Sequence, residues 1–157
     1  MTVTTGIGYD SHRLEAGRPL VLGGVTIEHD RGLAGHSDAD VLTHAVIDAL
    51  LGAAGLGDIG EHFPDTDAAY AGADSLALLR EVVALLGGRE ILHVDTTLVM
   101  ERPKVKDHKD AIRDSLAAAL GLAADRVNVK ATTGEGIGFV GREEGVAALA
   151  VATLSLP

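Results

Sequence analysis

Asp10, His12 and His44 carry the most chemical content in this chain, because two imidazoles and one carboxylate can converge on one cation and leave a fourth position open. Val3 to Tyr9 reads as an N-terminal strand with a glycine pair, Gly6 and Gly8, and side chains two apart on a strand share a face. If the strand continues that far, Asp10 and His12 chelate together. The third ligand lies in a helical stretch opened by His36-Ser37-Asp38-Ala39-Asp40. Ser37 with Asp40 three residues on has the pattern of an N-cap and an acidic N3 residue. Val41, Leu42, Ala45, Val46, Ala49 and Leu50 then form an apolar face at i, i+3, i+4 spacing. Asp40, His44 and Asp48 follow on another face, and Asp48 is spaced to accept the second ring N–H of His44 and fix its tautomer. Two histidines and a carboxylate suit Zn²⁺ in an open, catalytic mode better than a closed structural site, which usually uses cysteines. Taken singly, such residues are more often solvated or capping than ligating, so the weight falls on the company they keep.

A second cluster runs from Lys130 through Ala131-Thr132-Thr133-Gly134-Glu135-Gly136 to Arg142. Glycines after a strand let backbone N–H groups turn toward phosphate oxygens, threonine hydroxyls add donors, and Glu135 is suited to hold a hard cation against them. Gly136, Gly138 and Gly141 spell G-x-G-x-x-G, but no long helix is signalled after them and the chain ends before an acidic ribose ligand is due. The dinucleotide reading therefore fails. Arg102-Pro103-Lys104 puts positive charge near a helix start, a favourable place for an anion, although surface charge alone explains it as well.

Several elements must position these groups. Leu20-Val21-Leu22 and Val25-Thr26-Ile27 flank Gly23-Gly24 as a small hairpin. A helix from about Ala39 to Ala54 ends near Gly55, and the polar run Gly57 to Asp67 reads as an exposed loop. Asp74 or Ser75 caps a second helix reaching about Leu86, and Gly87-Gly88 stops it. Ile91 to Val99 alternates as a strand, Pro103 marks where a third helix begins, and Gly121 ends it. Val127 to Thr132 is a further strand, and the alanine-rich tail from Gly145 to Leu156 reads as a terminal one. The expectation is an α/β (α+β) sandwich, a mixed β-sheet with helices packed on one face, in a single domain over residues 1–157.

Composition narrows the function. Aromatics are 3% of the 157 residues against 46% apolar overall, so the core must be built from Ala, Val, Leu and Ile. Thirteen basic and 23 acidic residues give a formal charge of −10, which argues against nonspecific nucleic-acid or anionic-membrane binding. A phosphate ligand would need local neutralisation. Absence of cysteine removes thiol chemistry, and neither a signal-like N-terminus nor a membrane-length apolar run is present, so a cytoplasmic protein is expected.

Six ordered blocks of the sequence resemble the 2-C-methyl-D-erythritol 2,4-cyclodiphosphate synthases: Gly8-Tyr9-Asp10-Ser11-His12, His36 to Val41, Asp48 to Ala53, Gly57 to Gly60, Phe63 to Asp67, and Asn128 to Thr133 with Glu135. The resemblance covers almost the whole chain. It implies a homotrimer with active sites between subunits, acting on 4-diphosphocytidyl-2-C-methyl-D-erythritol 2-phosphate with release of CMP, in non-mevalonate isoprenoid synthesis. It implies that Asp10, His12 and His44 hold zinc, one per chain, and that Glu135 holds a second divalent cation, Mg²⁺ or Mn²⁺. By the same resemblance His36 and Thr133 stabilise the transition state and Ser37 lies near the phosphates. Asp58, Gly60, Phe63, Asp65 and Asp67 match the methylerythritol-binding segments. Met100, Pro103, Lys104, Val105 and Lys106, with Ala131 and Thr132, match the cytidine pocket, while Phe139 and Arg142 match positions near the substrate or the central cavity. Gly134 replaces a hydroxyl residue of the family's T-T-T-E run, and Ile7 replaces a larger residue near the central cavity, so loop rigidity and isoprenoid binding there are the points of departure.

The chemistry agrees with the resemblance, since the nucleophile would already be a phosphate oxygen anion and the protein needs neither a strong base nor a covalent nucleophile. Two other classes share the ligands: a metal-dependent phosphohydrolase, which would release inorganic phosphate, and a non-catalytic trimeric metabolite-binding protein.

Overall fold

The structure, a computed structural model, describes residues 1–157. Its chain order is β1 (Val3–Ala16), β2 (Leu20–Leu22), β3 (Val25–Ile27), β4 (Arg31–Ala34), α1 (Val41–Ala54), α2 (Ile59–His62), α3 (Ser75–Leu85), β5 (Glu90–Val99), α4 (Lys109–Leu120), β6 (Val127–Thr132), α5 (Gly138–Gly141) and β7 (Gly145–Ser155). Five strands form one sheet in the order β4-β1-β7-β5-β6, and β2-β3 pair separately as the expected hairpin. Only β5 and β6 run parallel, so the sheet is mixed.

β1 does continue past His12, pairing with β7 from Val3↔Ser155 to Arg13↔Gly145 and then with β4. Its inward positions include Gly6 and Gly8, and α1 lies directly on their backbone. A Cβ on Gly8 would stand 1.8 Å from the Ala45 carbonyl oxygen, and one on Gly6 would stand 2.2 Å from that of Ala49. Glycine on the strand and alanine on the helix thus shorten the distance between β1 and α1. That close approach brings His44 within reach of Asp10 and His12.

The core gathers on this inner face, where Leu42, Ile47, Leu50 and Leu51 of α1 meet Leu98, Ala148, Ala150 and Leu154 and the helices α3 and α4. It contains few aromatics, as the composition requires. The outer face of the sheet is different: Ile7 is 68% exposed, its cross-strand partner Val151 42% and Tyr9 54%. No helix is long and apolar enough to cross a membrane.

Two sequence expectations fail at helix starts. Ser37 does not cap α1; Asp40 does, accepting from Thr43 N at 3.0 Å. Asp40 is fully buried and also accepts from Gly23 N, Gly24 N and Thr43 Oγ1, so one carboxylate closes the helix end and docks the β2-β3 turn. Burial pushes its pKa up against those four donors. The third long helix begins at Lys109 rather than Pro103, because the ladder to β6 extends through Met100 N to Thr132 O and Val105 is buried before a 3₁₀ turn at Lys106–His108. The exposed loop from Gly57 contains α2, capped by Asp58.

Candidate metal centre and substrate cavities

Asp10 and His12 project from one face of β1, and His44 from the second turn of α1. Their ligand atoms all lie within 4.8 Å of one another. His12 Nε2 is 2.8 Å and His44 Nδ1 is 3.1 Å from the same oxygen, Asp10 Oδ2, and the two rings stand edge to face at 5.5 Å. Ligands about 2.0–2.2 Å from a tetrahedral zinc are separated by about 3.4 Å, so the spacing fits.

The polarity of the site fits as well. His12 Nδ1 lies 2.9 Å from the Ala34 carbonyl, which only accepts, so Nδ1 carries the hydrogen and Nε2 presents a lone pair. That Nε2 is buried without a well-directed hydrogen bond. A bare ring nitrogen facing a carboxylate oxygen is unfavourable unless a cation or a proton lies between them. Burial opposes ionisation of Asp10, yet the two imidazoles outweigh it and bring its pKa down to about 2. Burial likewise lowers the His12 pKa, and the Asp10 carboxylate more than reverses that, so the net shift is upward.

Asp48 does not brace His44. Its Oδ1 accepts from Ile59 N at 2.7 Å, anchoring α2, and burial raises its pKa. Helical side chains lean toward the N-terminus, so the His44 ring turns away from the residue four positions later. Its Nε2 reaches Ser75 Oγ at 2.8 Å and Ser37 Oγ at 3.2 Å instead.

A cavity of about 410 Å³ opens over the triad, and its lining includes His36, Ser37, Gly60, Phe63 and Asp65 from the residues singled out in the sequence. Asp58 and Asp67 do not line it; they cap α2 and a 3₁₀ turn at Ala68–Tyr70. Asp67 still contributes, because its carbonyl oxygen is 2.8 Å from His36 Nε2. A second cavity, about 200 Å³, is lined by Met100, Pro103, Lys104, Val105, Lys106, Ala131, Thr132 and Thr133. Every residue expected around a cytidine is there. The two cavities share no lining residue.

Glu135 is exposed in the turn after Thr133, held at φ 55°, a conformation uncommon for non-glycine residues that clusters at functional sites. Gly134 tightens that turn rather than loosening it. Its N–H donates to Glu101 Oε1 at 2.7 Å, and a Cβ there would stand 2.6 Å from Gly141 N. Phe139 lines a third cavity with Ser11, His12 and Arg13, and Arg142 pairs with Glu144 beside it.

Sequence reading missed four contributors. Lys109 joins Lys104 and Lys106 in the second cavity, so three of the chain's four lysines line it, and none of the three is paired with a carboxylate. Tyr70 packs edge to face on Phe63 at 5.5 Å. Arg18 donates to the carbonyls of Leu33, Gly35 and Ser37, tying down the loop that bears His36. Ser75 stands behind His44. Lysine clustering was the one signal visible beforehand; the others depend on long-range folding.

A mixed sheet covered on one face by helices, with two imidazoles and a carboxylate gathered beneath one cavity, defines an α+β domain built around a candidate metal site. The chain belongs to the YgbB family, whose model matches residues 3–155. A Salinibacter ruber protein named 2-C-methyl-D-erythritol 2,4-cyclodiphosphate synthase is 64% identical over 151 residues, 95% of this chain and 96% of that one. A solved 2C-methyl-D-erythritol-2,4-cyclodiphosphate synthase in a CDP-bound form superposes with a TM-score of 0.88 at 43% identity, over 96% of this chain and 99% of the other. The bifunctional IspDF of Campylobacter jejuni gives 0.94 at 46% identity over 98% of this chain, which spans only 42% of that longer protein.

Proposed function

We propose that this chain converts 4-diphosphocytidyl-2-C-methyl-D-erythritol 2-phosphate into 2-C-methyl-D-erythritol 2,4-cyclodiphosphate and CMP, as an enzyme of non-mevalonate isoprenoid synthesis. The observation that carries the reading is the triad of Asp10, His12 and His44 at the floor of one cavity, with a separate cavity assembled from the seven residues matched to cytidine. High identity to synthases over nearly full length supports it.

In this reading an oxygen of the 2-phosphate attacks the β-phosphorus, the bond from that phosphorus to the bridging oxygen breaks, and CMP leaves with the electron pair. Both ends belong to one substrate, so the protein's main task is orientation, worth on the order of 7–11 kcal/mol for well-aligned intramolecular reactions. Gly60, Phe63 and Asp65 would hold the methylerythritol against the 410 Å³ cavity wall, with Asp58 and Asp67 shaping their turns. Ser37 and His36 sit at the phosphate end, and Thr133 would donate its hydroxyl at the nucleotide end. Asp10, His12 and His44 would hold Zn²⁺ and Glu135 a second cation, Mg²⁺ or Mn²⁺, which supply Lewis-acid polarisation and charge screening among the phosphates.

The two cavities have no common lining residue, which supports a site completed by a neighbouring subunit. A homotrimer, pairing the metal cavity of one subunit with the cytidine cavity of the next, supplies the missing wall. Ile7, Tyr9 and Val151 on the uncovered sheet face provide an apolar surface for that assembly.

The test incubates purified protein with the diphosphocytidyl substrate, Zn²⁺ and Mg²⁺ and follows phosphorus NMR. CMP and a cyclic diphosphate without inorganic phosphate are expected. Inorganic phosphate instead would assign a zinc phosphohydrolase, and no product from folded, zinc-loaded protein would leave only a binding role.

A further inference from the structure

Behind His44 runs a hydrogen-bond chain that the proposed reaction leaves unused. His44 Nε2, the nitrogen turned away from Asp10, is 2.8 Å from Ser75 Oγ. Ser75 is the first residue of α3 and is fully buried. Its hydroxyl meets Asp38 Oδ1, and its backbone N–H donates to Asp38 Oδ2 at 3.0 Å.

Polarity along this chain is set from the Asp38 end. An ionised carboxylate only accepts, so the Ser75 hydroxyl hydrogen points at Asp38, and the Ser75 oxygen is left to accept from His44. Nε2 must then carry the ring hydrogen. Nδ1 is consequently bare, and it is the nitrogen that faces Asp10 Oδ2 at 3.1 Å. Ser37 Oγ, at 3.2 Å from Nε2, is a longer acceptor for the same hydrogen and itself accepts from Ala39 N.

We propose that Ser75 and Asp38 are positioning residues for the metal centre, a two-member relay that fixes the His44 tautomer and so sets how tightly Asp10, His12 and His44 hold their ion. The inference rests on the reading of those three as metal ligands. The same segments are laced together by Asp38 N to Ala73 O at 3.0 Å and Gly72 N to His36 O at 2.7 Å. The relay therefore ties the ligand on α1 both to the loop bearing His36 and to the segment that carries Tyr70 over the cavity.

Zinc affinity is measured by competition with a chromogenic chelator on the full-length parent, Ser75→Ala, Asp38→Asn and the double variant, with circular dichroism to confirm folding. Each single variant is expected to bind zinc 10- to 100-fold more weakly, the range typical of groups that orient metal-bound histidines. The double variant should be within about twofold of the weaker single, because both changes break one chain. In the ion-free parent, nitrogen NMR should show His44 as the Nε2–H tautomer, and either variant should show a mixture. Should Ser75→Ala fail to fold, Asp38→Asn carries the test alone. Unchanged affinity and tautomer in folded Asp38→Asn, or losses that multiply in the double variant, overturn the relay while leaving the metal centre standing. A parent that takes up no zinc overturns the metal centre, and the relay with it.

Discussion

At the residue scale, the metal-free site should leave a signature in stability against pH. Asp10 has a folded pKa depressed to about 2, so its contribution is present above its ordinary value of 3.8 and lost as pH falls below that. His12 is shifted upward, so its contribution is complete below its ordinary value of 6.5 and lost as pH rises through its folded value. The pair therefore stabilises the ion-free protein most between those limits, by about 2 kcal/mol from the Asp10 shift. Asp10→Asn should lower the unfolding midpoint of chelator-treated protein at pH 5 to 6, by about 2–4 °C per kcal/mol for a chain this long, and lower it much less at pH 9. A loss of equal size at both pH values would mean that packing, not charge, is what the substitution removed. His44→Ala tests the ligand itself. Zinc uptake and most turnover should disappear with the fold retained, because the apolar face of α1 is untouched; a protein that no longer folds cooperatively would make the site structural. That Asp10, His12 and His44 could meet at one point was legible from residue type and spacing, and the fold brings them together. The group behind His44 was not, because Asp48 is four residues away in sequence, whereas Ser75 comes 31 residues later and meets the ring only after α3 has packed on α1.

At the element scale, the site depends on how closely α1 approaches β1. Gly8 admits the helix backbone to a distance that no side chain permits, since a Cβ would stand 1.8 Å from the Ala45 oxygen. Gly8→Ala should therefore move α1 outward, costing about 1–3 kcal/mol or more as overpacking does, and weakening zinc affinity by pulling His44 from Asp10 and His12. Thermal unfolding and chelator competition on one sample check both parts, and a variant that matches the parent in both would show that the backbone adjusts freely. Gly55→Ala is a useful control, because Gly55 at the C-cap sits at φ 70° with open space around it and lies far along α1 from His44. It should cost stability through its backbone conformation while sparing zinc affinity. Much of this layer was readable: period-two alternation found β5, the apolar stripe found α1, and Gly55, Gly87 and Gly121 marked helix ends. The start of α4 was not, since proline at a helix start is a local rule and the burial of Val105 beside the β5-β6 ladder is a tertiary one. The edge strand β4 also escaped, because Arg31-Gly32-Leu33-Ala34 has little strand character and owes its conformation to pairing with β1.

At the scale of the whole molecule, the decisive property is that the candidate metal ligands come from one chain and the proposed active site from two. Asp10, His12 and His44 converge within a single subunit, so zinc binding should survive dissociation. Turnover should not, because in the proposed trimer the cytidine cavity, which shares no residue with the metal cavity, is supplied by a neighbour. Ile7 offers the means to separate the two. It is 68% exposed on the uncovered face of the sheet, opposite Val151, and its side chain points away from α1. Ile7→Glu adds a charge where three copies of the face would meet, and desolvating even one such unpaired carboxylate costs several kcal/mol. With a chain already at −10, self-repulsion acts in the same direction. Sedimentation velocity should show monomer in place of trimer, zinc should remain near one per chain, and CMP release should fall by more than about a hundredfold. Raising protein concentration should restore both trimer and turnover together. Monomeric Ile7→Glu with parental turnover would show that one subunit closes the site by itself, and loss of zinc on dissociation would show that the neighbour supports the metal as well as the nucleotide.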